Sequence, residues 1–372
     1  MSDIFKRIEK IQDDAKNGVL NFMPFNLKGF SKVVPGMITE PQIVTASTSG
    51  GKSSIVKFLY VFKGIQYAIE NNINYKILFF ALEDNLTLIQ YSILIALYWE
   101  KYKEILDIRL LEGMKFNSEG KVKTWTVDQE KKIKTIENSL VQYMTYITVV
   151  DDIYSSNEIF KETKKWASRF GKYYFENTEV SVEEINNGAK WDNYKKHIDM
   201  FGLVVVDHVS LLNNEKEEKT LFDSIKNMSK IGKQYIVKKL GFPFLMVQQQ
   251  SEEKTNLDHI KSNYFLPTEQ GLADYKATGK DSRMTLGITA PFKFQQKTYR
   301  GYDLELMRGY YRCINIIKQT FGEVGNVFDF LFIPQCNYFY LLPKIKKGEK
   351  VSDETQSFIN VILEKIKNYE DL

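Results

Sequence analysis

Short apolar runs alternate with longer amphipathic stretches over most of the 372-residue chain. Apolar runs bounded by turn residues are typical of strands, whereas apolar residues that recur every three or four positions are typical of helices. The predicted strands in the first two thirds of the chain are residues 42–46, 76–82, 146–151, 203–207 and 243–249. The predicted helices between them are residues 53–69, 86–102, 157–170 and 220–240. This alternation predicts an α/β fold built from βαβ units, with a mainly parallel twisted sheet flanked by helices.

The pattern changes after Gln249. A polar loop covers residues 251–280, and β-rich segments follow at residues 283–290, 312–318, 327–333 and 338–342. We interpret these segments as an antiparallel extension of the same sheet. Residues 173–198 are polar and aromatic without a clear period, and we expect a surface insertion there. Residues 352–369 are predicted to form an amphipathic helix with Phe358, Ile362 and Ile366 on one side.

Composition and charge exclude several classes of protein. A net charge of +4 is too mild to indicate nucleic-acid binding by bulk charge, so any such contact depends on local patches. Cys313 and Cys336 have no close cysteine or histidine neighbour in the sequence, which excludes a disulfide framework and a zinc site and indicates a reducing, cytoplasmic setting. The first residues alternate apolar with charged side chains, unlike an export signal. The longest charge-free apolar run, residues 86–99, is shorter than the roughly 20 residues of a membrane helix, so we expect no membrane contact.

A turn of small residues lies between the first predicted strand and the helix after it. Its sequence has the pattern of a phosphate-binding loop, with Ala46 in place of the usual first glycine. Small residues let successive backbone N–H groups surround phosphates, the helix N-terminus adds partial positive charge, and Lys52 reaches the β and γ oxygens. Ser53 is the expected Mg²⁺ ligand. The turn therefore predicts a nucleoside triphosphatase. Its nucleotide-binding residues are Ser47, Thr48, Ser49, Gly50, Gly51, Lys52, Ser53 and Ser54.

Acidic and amide side chains follow three further predicted strands. Asp207 comes directly after an apolar run, where a carboxylate that orients Mg²⁺ through water is expected. Glu83 and Asp84 follow the second predicted strand, and either carboxylate could polarise the attacking water. Glu83 directly follows the apolar residues, but the local pattern barely separates the two. Glutamines 248–250 end the fifth strand and are candidates to sense the γ-phosphate, with plain turn or capping polarity as the alternative.

These motifs, in their order along the chain, resemble the RecA-like motor domain of hexameric replicative DNA helicases of the DnaB type. The phosphate loop is similar to that family's loop, in which alanine often stands first. Ala81-Leu82-Glu83 resembles the family's Ser-Leu-Glu motif with the catalytic glutamate, and residues 206–211 resemble its Asp-Tyr-Leu-Gln-Leu strand end. The strand before Ser251 resembles the one that ends in the sensor glutamine, which places Gln249 in that role. The resemblance implies a RecA-like P-loop ATPase that uses ATP and Mg²⁺, with Glu83 as the catalytic carboxylate.

A later segment resembles the part of these helicases that lies beside DNA. Residues 273–279 are similar to the family's Ser-Asp-Ile-Arg-Glu-Ser-Gly loop, which borders single-stranded DNA in the central channel. Lysines neutralise phosphates without reading bases, so lysines of this polar region are candidate DNA contacts, and a solvated surface loop is the alternative. The candidate DNA-binding residues are Lys254, Lys261, Lys276, Gly279 and Lys280.

Residues 317–325 resemble the Lys-x-Arg-x-Gly segment that reaches the neighbouring subunit's nucleotide. Lys318 is kept, which implies a catalytic role for it, but Thr320 stands where the family has arginine. A threonine cannot stabilise the charge that develops on the γ-phosphate, a contribution of roughly 10³ in turnover where arginine supplies it. Either another arginine substitutes or hydrolysis is weak. The candidates to substitute are Arg283, Arg308 and Arg312.

The resemblance also implies how the chain is organised. The expected parts are a linker-type helix at residues 1–17, the motor domain at residues 18–350 with its insertion at 173–198, and a C-terminal helix at residues 351–372. The linker-type helix, with Phe5, Ile8 and Ile11 at helical spacing, would pack on the adjacent motor domain, and the alternative is a helix folded onto its own domain. The family's N-terminal helical domain, which usually receives primase, has no counterpart, so we expect a minimal form similar to some phage-encoded helicases.

We therefore expect an ATP-dependent replicative DNA helicase or translocase that acts on single-stranded DNA as a homohexameric ring. Its setting would be the cytoplasm, that of the host if the chain is phage-encoded, and its candidate partners are primase or a helicase loader. Two alternatives stay open: a RecA-fold, recombinase-like ATPase, and a structural or loading subunit that binds nucleotide for assembly but hydrolyses it poorly.

Overall fold

A nine-stranded mixed sheet forms the centre of the fold. The computed structural model describes residues 3–16, 22–116, 119–215, 218, 220–251, 265–346 and 348–371. The strands of this sheet are, in chain order, β1 (Pro41–Ala46), β2 (Tyr75–Ala81), β3 (Ile147–Val150), β4 (Phe201–Asp207), β5 (Phe244–Gln249), β6 (Met284–Thr289), β7 (Tyr311–Gln319), β8 (Val327–Ile333) and β9 (Tyr338–Leu342). Their order across the sheet is β9-β8-β7-β6-β1-β5-β4-β2-β3.

The sheet has a parallel part and an antiparallel part. Strands β6, β1, β5, β4, β2 and β3 run parallel to one another, whereas β7, β8 and β9 pair antiparallel beside β6. The predicted mainly parallel sheet with an antiparallel C-terminal extension is confirmed. Because neighbouring parallel strands end on the same side, the carboxyl ends of β1, β2, β4 and β5 form one edge, where ligands bind in open α/β sheets.

Helices cover both faces of the sheet. In chain order they are α1 (Asp3–Lys16), α2 (Lys52–Ile55, continued by the π-helical Val56–Lys63 and by Gly64–Glu70), α3 (Leu86–Tyr102), α4 (Ile108–Leu111), α5 (Val127–Lys134), α6 (Glu137–Met144), α7 (Ser156–Ala167), α8 (Val182–Asn186), α9 (Leu221–Ile231, continued by the π-helical Gly232–Val237), α10 (Thr278–Asp281), α11 (Leu304–Met307) and α12 (Asp353–Asp371). Short 3₁₀ turns lie at Val209–Leu211, Pro291–Phe294, Arg308–Tyr310 and Pro334–Cys336. No helix in the described part of the chain is both long and apolar enough to cross a membrane.

Two apolar cores, one on each face, explain why the strands read as continuous apolar runs. Val205 of β4 belongs to the core beneath α2 and α3, whereas Val204 and Val206 belong to the core beneath α7 and α9. All three valines are fully buried. Strands buried on both faces lose the alternation of apolar and polar residues that marks a half-exposed strand.

The segment around residues 173–198 has regular structure that its sequence pattern did not predict. Gly171–Phe175, Thr178–Val180 and Asn193–Lys196 form a small antiparallel sheet, and α8 lies between its second and third strands. Tyr173 and Tyr194 are buried in the core beneath α7. Strands of three to five residues are too short for a period to show. Two further antiparallel pairs of two-residue strands join Phe22–Met23 with Met37–Ile38 and Thr298–Tyr299 with Tyr302–Asp303.

The terminal helices differ in how they pack. In α12, Ile362 and Ile366 are buried, while Phe358 is 36% exposed. In α1, by contrast, Phe5 and Ile8 are 58% and 47% exposed. Phe5 and Ile8 on the apolar side of α1 are thus exposed among the described residues, whereas Ile11 is partly buried.

Candidate nucleotide-binding site

The phosphate loop connects β1 to α2 in a conformation that needs glycine. Gly51 has a φ of 102°, in the left-handed region, and it directly precedes α2. A Cβ atom on Gly50 would lie 2.6 Å from the Cβ of Ala46 and 2.9 Å from the carbonyl oxygen of Ser47. The Gly50 N–H donates to that same Ser47 oxygen over 2.9 Å. The loop is therefore a tight turn in which the small side chain at Ala46 and the glycines are sterically required.

Ser53 and Asp207 meet at the start of α2. The Ser53 hydroxyl donates to Oδ1 of Asp207 over 3.0 Å, and Asp207 is fully buried at the end of β4. Oδ2 of Asp207 is also buried and has no hydrogen-bond partner among the described residues. Burial raises the pKa of Asp207 to about 6, against the opposing effects of Lys57 and of the bond from Ser53. A hydroxyl and a carboxylate with a free oxygen are the hard oxygen ligands that suit Mg²⁺ or its bound water, so these residues fit the ion.

Lys52 of the loop interacts electrostatically with two carboxylates. Its side chain is buried, and burial lowers its pKa, while the negative charges of Glu83 and Asp207 act in the opposite direction. All three groups are thus close enough to interact electrostatically. A buried cation at the N-terminus of a helix is well placed to receive phosphate oxygens.

Glu83 and Asp84 have different surroundings, although they are neighbours after β2. Asp84 forms an ion pair with Lys57 of α2, in which Nζ of Lys57 lies 2.8 Å from Oδ2 of Asp84. Both side chains are largely buried. The Glu83 side chain is 55% exposed, and its Oε2 lies 3.1 Å from Nδ1 of His208. Asp84 is therefore engaged inside the fold, and Glu83 is the carboxylate that faces the open edge.

Gln249 joins the end of β5 to the phosphate loop. Its amide nitrogen donates to the Thr48 hydroxyl over 2.6 Å, and its oxygen lies 3.3 Å from Nε2 of His208. Glu83, His208, Gln249 and Thr48 thus form a continuous chain of polar contacts. Sequence reasoning did not select His208, although its position directly after the strand-ending Asp207 was a usable signal.

The loop at residues 273–279 is bound to the same strand ends. Gln248 donates to the carbonyl oxygens of Ala273 and Tyr275 over 2.5 and 3.1 Å. The Ser210 hydroxyl donates to Asp274 over 2.7 Å. The loop therefore contacts the last residues of β5 and the 3₁₀ turn that follows β4.

The candidate DNA-binding residues of this region divide into three groups. Lys276 and Lys280 are exposed, whereas Gly279 is buried. Lys254 and Lys261 lie outside the described residues.

Lys318 and Thr320 make contacts within their own chain. The Lys318 ammonium donates to the Gly279 carbonyl over 2.7 Å and lies 3.3 Å from Glu269. Thr320 is exposed, and its N–H and hydroxyl both donate to the Arg283 carbonyl, over 3.0 and 3.3 Å. Neither residue contacts the phosphate loop of its own chain, in contrast to Lys52 and Gln249.

The arginines proposed to substitute at this position are placed differently. Arg308 and Arg283 are exposed. Arg312 is buried, and its Nε donates to the carbonyl oxygen of Gly50 in its own phosphate loop over 3.1 Å. The guanidinium of Arg312 is therefore engaged within its own chain, whereas, among the described residues, Arg283 and Arg308 are free of the phosphate loop.

Comparisons with known proteins identify the fold. No protein-family model matches the sequence, and no curated protein matches it. Among solved structures, an ATPase domain is similar with a TM-score of 0.65 and 12% identity, over 92% of this chain and 100% of that one. A DnaB-like replicative helicase, described with its interactions with primase, is similar with a TM-score of 0.61 and 12% identity, over 92% of this chain and 68% of that one. The chain therefore has the RecA-like ATPase fold shared by these domains, as its resemblance to DnaB-type motor domains predicted.

Proposed function

We propose that this chain is an ATP-dependent motor on single-stranded DNA, a replicative helicase or translocase of the DnaB type. The observation that supports it most is the hydrogen bond of 3.0 Å between Ser53 and Asp207, with Lys52 and Glu83 at the same edge of the sheet. A phosphate-loop hydroxyl, a buried carboxylate, a lysine and an open carboxylate are the groups that ATP hydrolysis requires.

Each group has a distinct role in the proposal. The backbone of residues 47–54 and the Lys52 ammonium bind the phosphates of ATP. Ser53 and Asp207 would hold Mg²⁺, which supplies positive charge against the phosphate oxygens when it is bound. Glu83 orients and polarises the attacking water, a contribution of roughly 10²–10⁴ in rate for a well-placed base.

The proposed coupling to DNA uses the contacts between the strand ends and the loop at residues 273–279. Gln249 would sense the γ-phosphate through Thr48 and His208, and Gln248 and Ser210 would pass its position to the loop. Lysines of that loop and of the polar segment before it would bind DNA phosphates without selecting a sequence. They are Lys254, Lys261, Lys276 and Lys280, with the backbone at Gly279.

Assembly into a homohexameric ring completes the proposal. The exposed apolar side of α1, with Phe5 and Ile8, supports its packing on an adjacent copy of the chain. Lys318 would then act on the nucleotide at the interface. Because one of the similar structures is a helicase described with primase, we propose primase or a helicase loader as a partner, in a cytoplasmic setting.

ATP turnover with and without single-stranded DNA tests this function. The proposal predicts turnover that DNA stimulates, and strand displacement on a forked duplex. Turnover that DNA leaves unchanged would contradict a motor. Stimulated turnover without strand displacement would favour the recombinase-like ATPase.

A structural or loading subunit is the second candidate, and one observation favours it. Thr320 stands where an arginine would stabilise the γ-phosphate, and it bonds to the Arg283 backbone instead. Nucleotide binding without measurable turnover, in assembled protein with DNA present, would support this candidate over the motor.

A further inference from the structure

Two cationic side chains that belong to none of the recognised motifs contact the backbone carbonyl groups of the phosphate loop. Lys293, in the 3₁₀ turn after β6, donates to the carbonyl oxygens of Thr48 and Ser49 over 3.2 and 3.0 Å. Arg312, the second residue of β7, donates through Nε to the carbonyl oxygen of Gly50 over 3.1 Å. Three consecutive carbonyl groups of the loop are therefore bound by cations from the later part of the chain.

Peptide geometry gives these contacts a consequence for ligand binding. A trans peptide is planar, and its N–H points away from its C=O. When Arg312 holds the Gly50 carbonyl on one side, the N–H of Gly51 faces the other side, and the Thr48 carbonyl orients the N–H of Ser49 in the same way. The N–H groups of a phosphate loop bind its ligand, so fixing the carbonyls orients the donors.

Arg312 is built into this position. Its guanidinium also donates to the carbonyl oxygens of Gly309 and Tyr311, and its Cζ lies 5.1 Å from the centre of the Phe332 ring. The residue is 7% exposed, and burial lowers its pKa to about 10. No carboxylate pairs with it among the residues that the structure describes. Burying a cation without a counter-charge is costly in free energy, so an anion bound nearby would be stabilised by this charge.

We propose that Arg312 and Lys293 are positioning residues that hold the phosphate loop in its nucleotide-binding shape before the nucleotide arrives. The inference rests on the proposed function, because it assumes that the loop binds ATP. In this proposal, contacts within one chain set the conformation of the phosphate loop. By contrast, the charge that develops on the γ-phosphate would be stabilised by a residue from the neighbouring subunit. Nucleotide affinity should therefore depend on Arg312 in single chains as much as in assembled rings.

The first test is the affinity of the full chain for a fluorescent ATP analogue with Mg²⁺. For Arg312→Met we expect affinity to fall about tenfold, with a smaller change in turnover at saturating ATP, because misplaced donors weaken binding first. Arg312→Lys should restore part of the loss, since an ammonium can still bind one carbonyl. Lys293→Met should weaken binding less, about threefold, since Lys293 lies at the surface.

Arg300→Met is the matched control. Arg300 is a partly buried arginine whose Nε lies 2.8 Å from Asp329 on the neighbouring strand β8, and it makes no contact with the loop. We expect Arg300→Met to lower stability without changing nucleotide affinity. Equal loss of affinity in Arg300→Met and Arg312→Met would show that general damage, and not the loop contact, is responsible.

Amide hydrogen exchange of the nucleotide-free chain separates this inference from the proposed function. Arg312→Met and Lys293→Met should speed exchange of peptides covering residues 46–53, while Arg300→Met should not. If the wild-type chain binds no ATP analogue, the proposed function fails, but faster exchange in the loop would still support the positioning role. Unchanged exchange and unchanged affinity in both loop variants would overturn it, and Lys293→Met keeps the test valid if Arg312→Met does not fold.

Discussion

Two regions of the molecule carry residues proposed for ATP hydrolysis: the carboxyl edge of the parallel strands and the end of the antiparallel strand β7. They differ in whether those residues contact the phosphate loop and one another within a single chain. At the first, Ser53 bonds to Asp207 and Gln249 bonds to the phosphate loop. At the second, Lys318 bonds to the Gly279 backbone and Thr320 to the Arg283 backbone, and neither bonds to the phosphate loop of its own chain. Under the proposed function, this difference predicts that one chain binds nucleotide alone, whereas charge stabilisation during hydrolysis depends on a neighbouring chain.

The largest effect on turnover is expected from a substitution at Glu83, in the first region. Glu83→Gln should reduce turnover by about 10²–10⁴, because the open carboxylate that polarises water is lost, while ATP binding persists. Steady-state turnover and equilibrium binding measured on the same protein check this. Asp84→Asn is the control, since Asp84 is engaged by Lys57, and it should retain most of the turnover. Normal hydrolysis by Glu83→Gln would mean that another group activates the water.

The role of the second region is tested by placing an arginine at position 320. Thr320→Arg should raise turnover about tenfold, a fraction of the roughly 10³ that an arginine supplies in trans. The gain should grow with protein concentration, because the group acts across an interface. Thr320→Gln, which adds length without charge, should show no gain. A gain that is independent of concentration would place the effect within a single chain.

The chain of polar contacts within the first region passes through His208. His208→Phe removes both ring nitrogens that face Glu83 and Gln249, and it should reduce the stimulation of turnover by DNA about fivefold. Turnover without DNA should change less, because Lys52, Ser53 and Asp207 are untouched. Equal loss with and without DNA would show that His208 supports hydrolysis itself and does not couple it to the DNA loop.

The smallest effect on the chain itself is expected at α1. Phe5→Asp should reduce the mass of the oligomer in light scattering if α1 packs on an adjacent copy. Because Phe5 is 58% exposed, the free energy of unfolding of the single chain should change by no more than about 0.5 kcal/mol. Glu9→Gln, on the same helix, is the control. An unchanged oligomer would refute the exchange of this helix.

The parts of the fold that could be predicted from the sequence are those whose burial leaves a clear apolar pattern. Strands β1, β2, β4 and β5 are buried on both faces, so their apolar runs marked them in the sequence. The side chains after them were predictable as neighbours, because parallel strands end at one edge. The π-helical stretch Val56–Lys63 and the short strands at residues 171–196 have no period of their own, and the pattern did not reveal them.

The contacts of Arg312 and Lys293 show the limit for the site. Both residues lie more than 240 positions after the loop that they bind, and neither belongs to a recognisable motif. Only the pairing of β6 with β1 and of β7 with β6 brings them to the loop. The local pattern barely separates Glu83 from Asp84, and the resemblance implies Glu83. The fold adds a physical difference, because Asp84 is paired with Lys57 on a different element.

The decisive experiment is equilibrium binding of ATP to the wild-type chain and to Lys52→Ala. We expect binding that requires Mg²⁺ and that weakens about 100-fold in Lys52→Ala, because hydrogen bonds from a buried cation to the phosphates are lost. Equal affinities for the two proteins, or binding that is indifferent to Mg²⁺, would contradict a nucleotide site built from Lys52, Ser53 and Asp207.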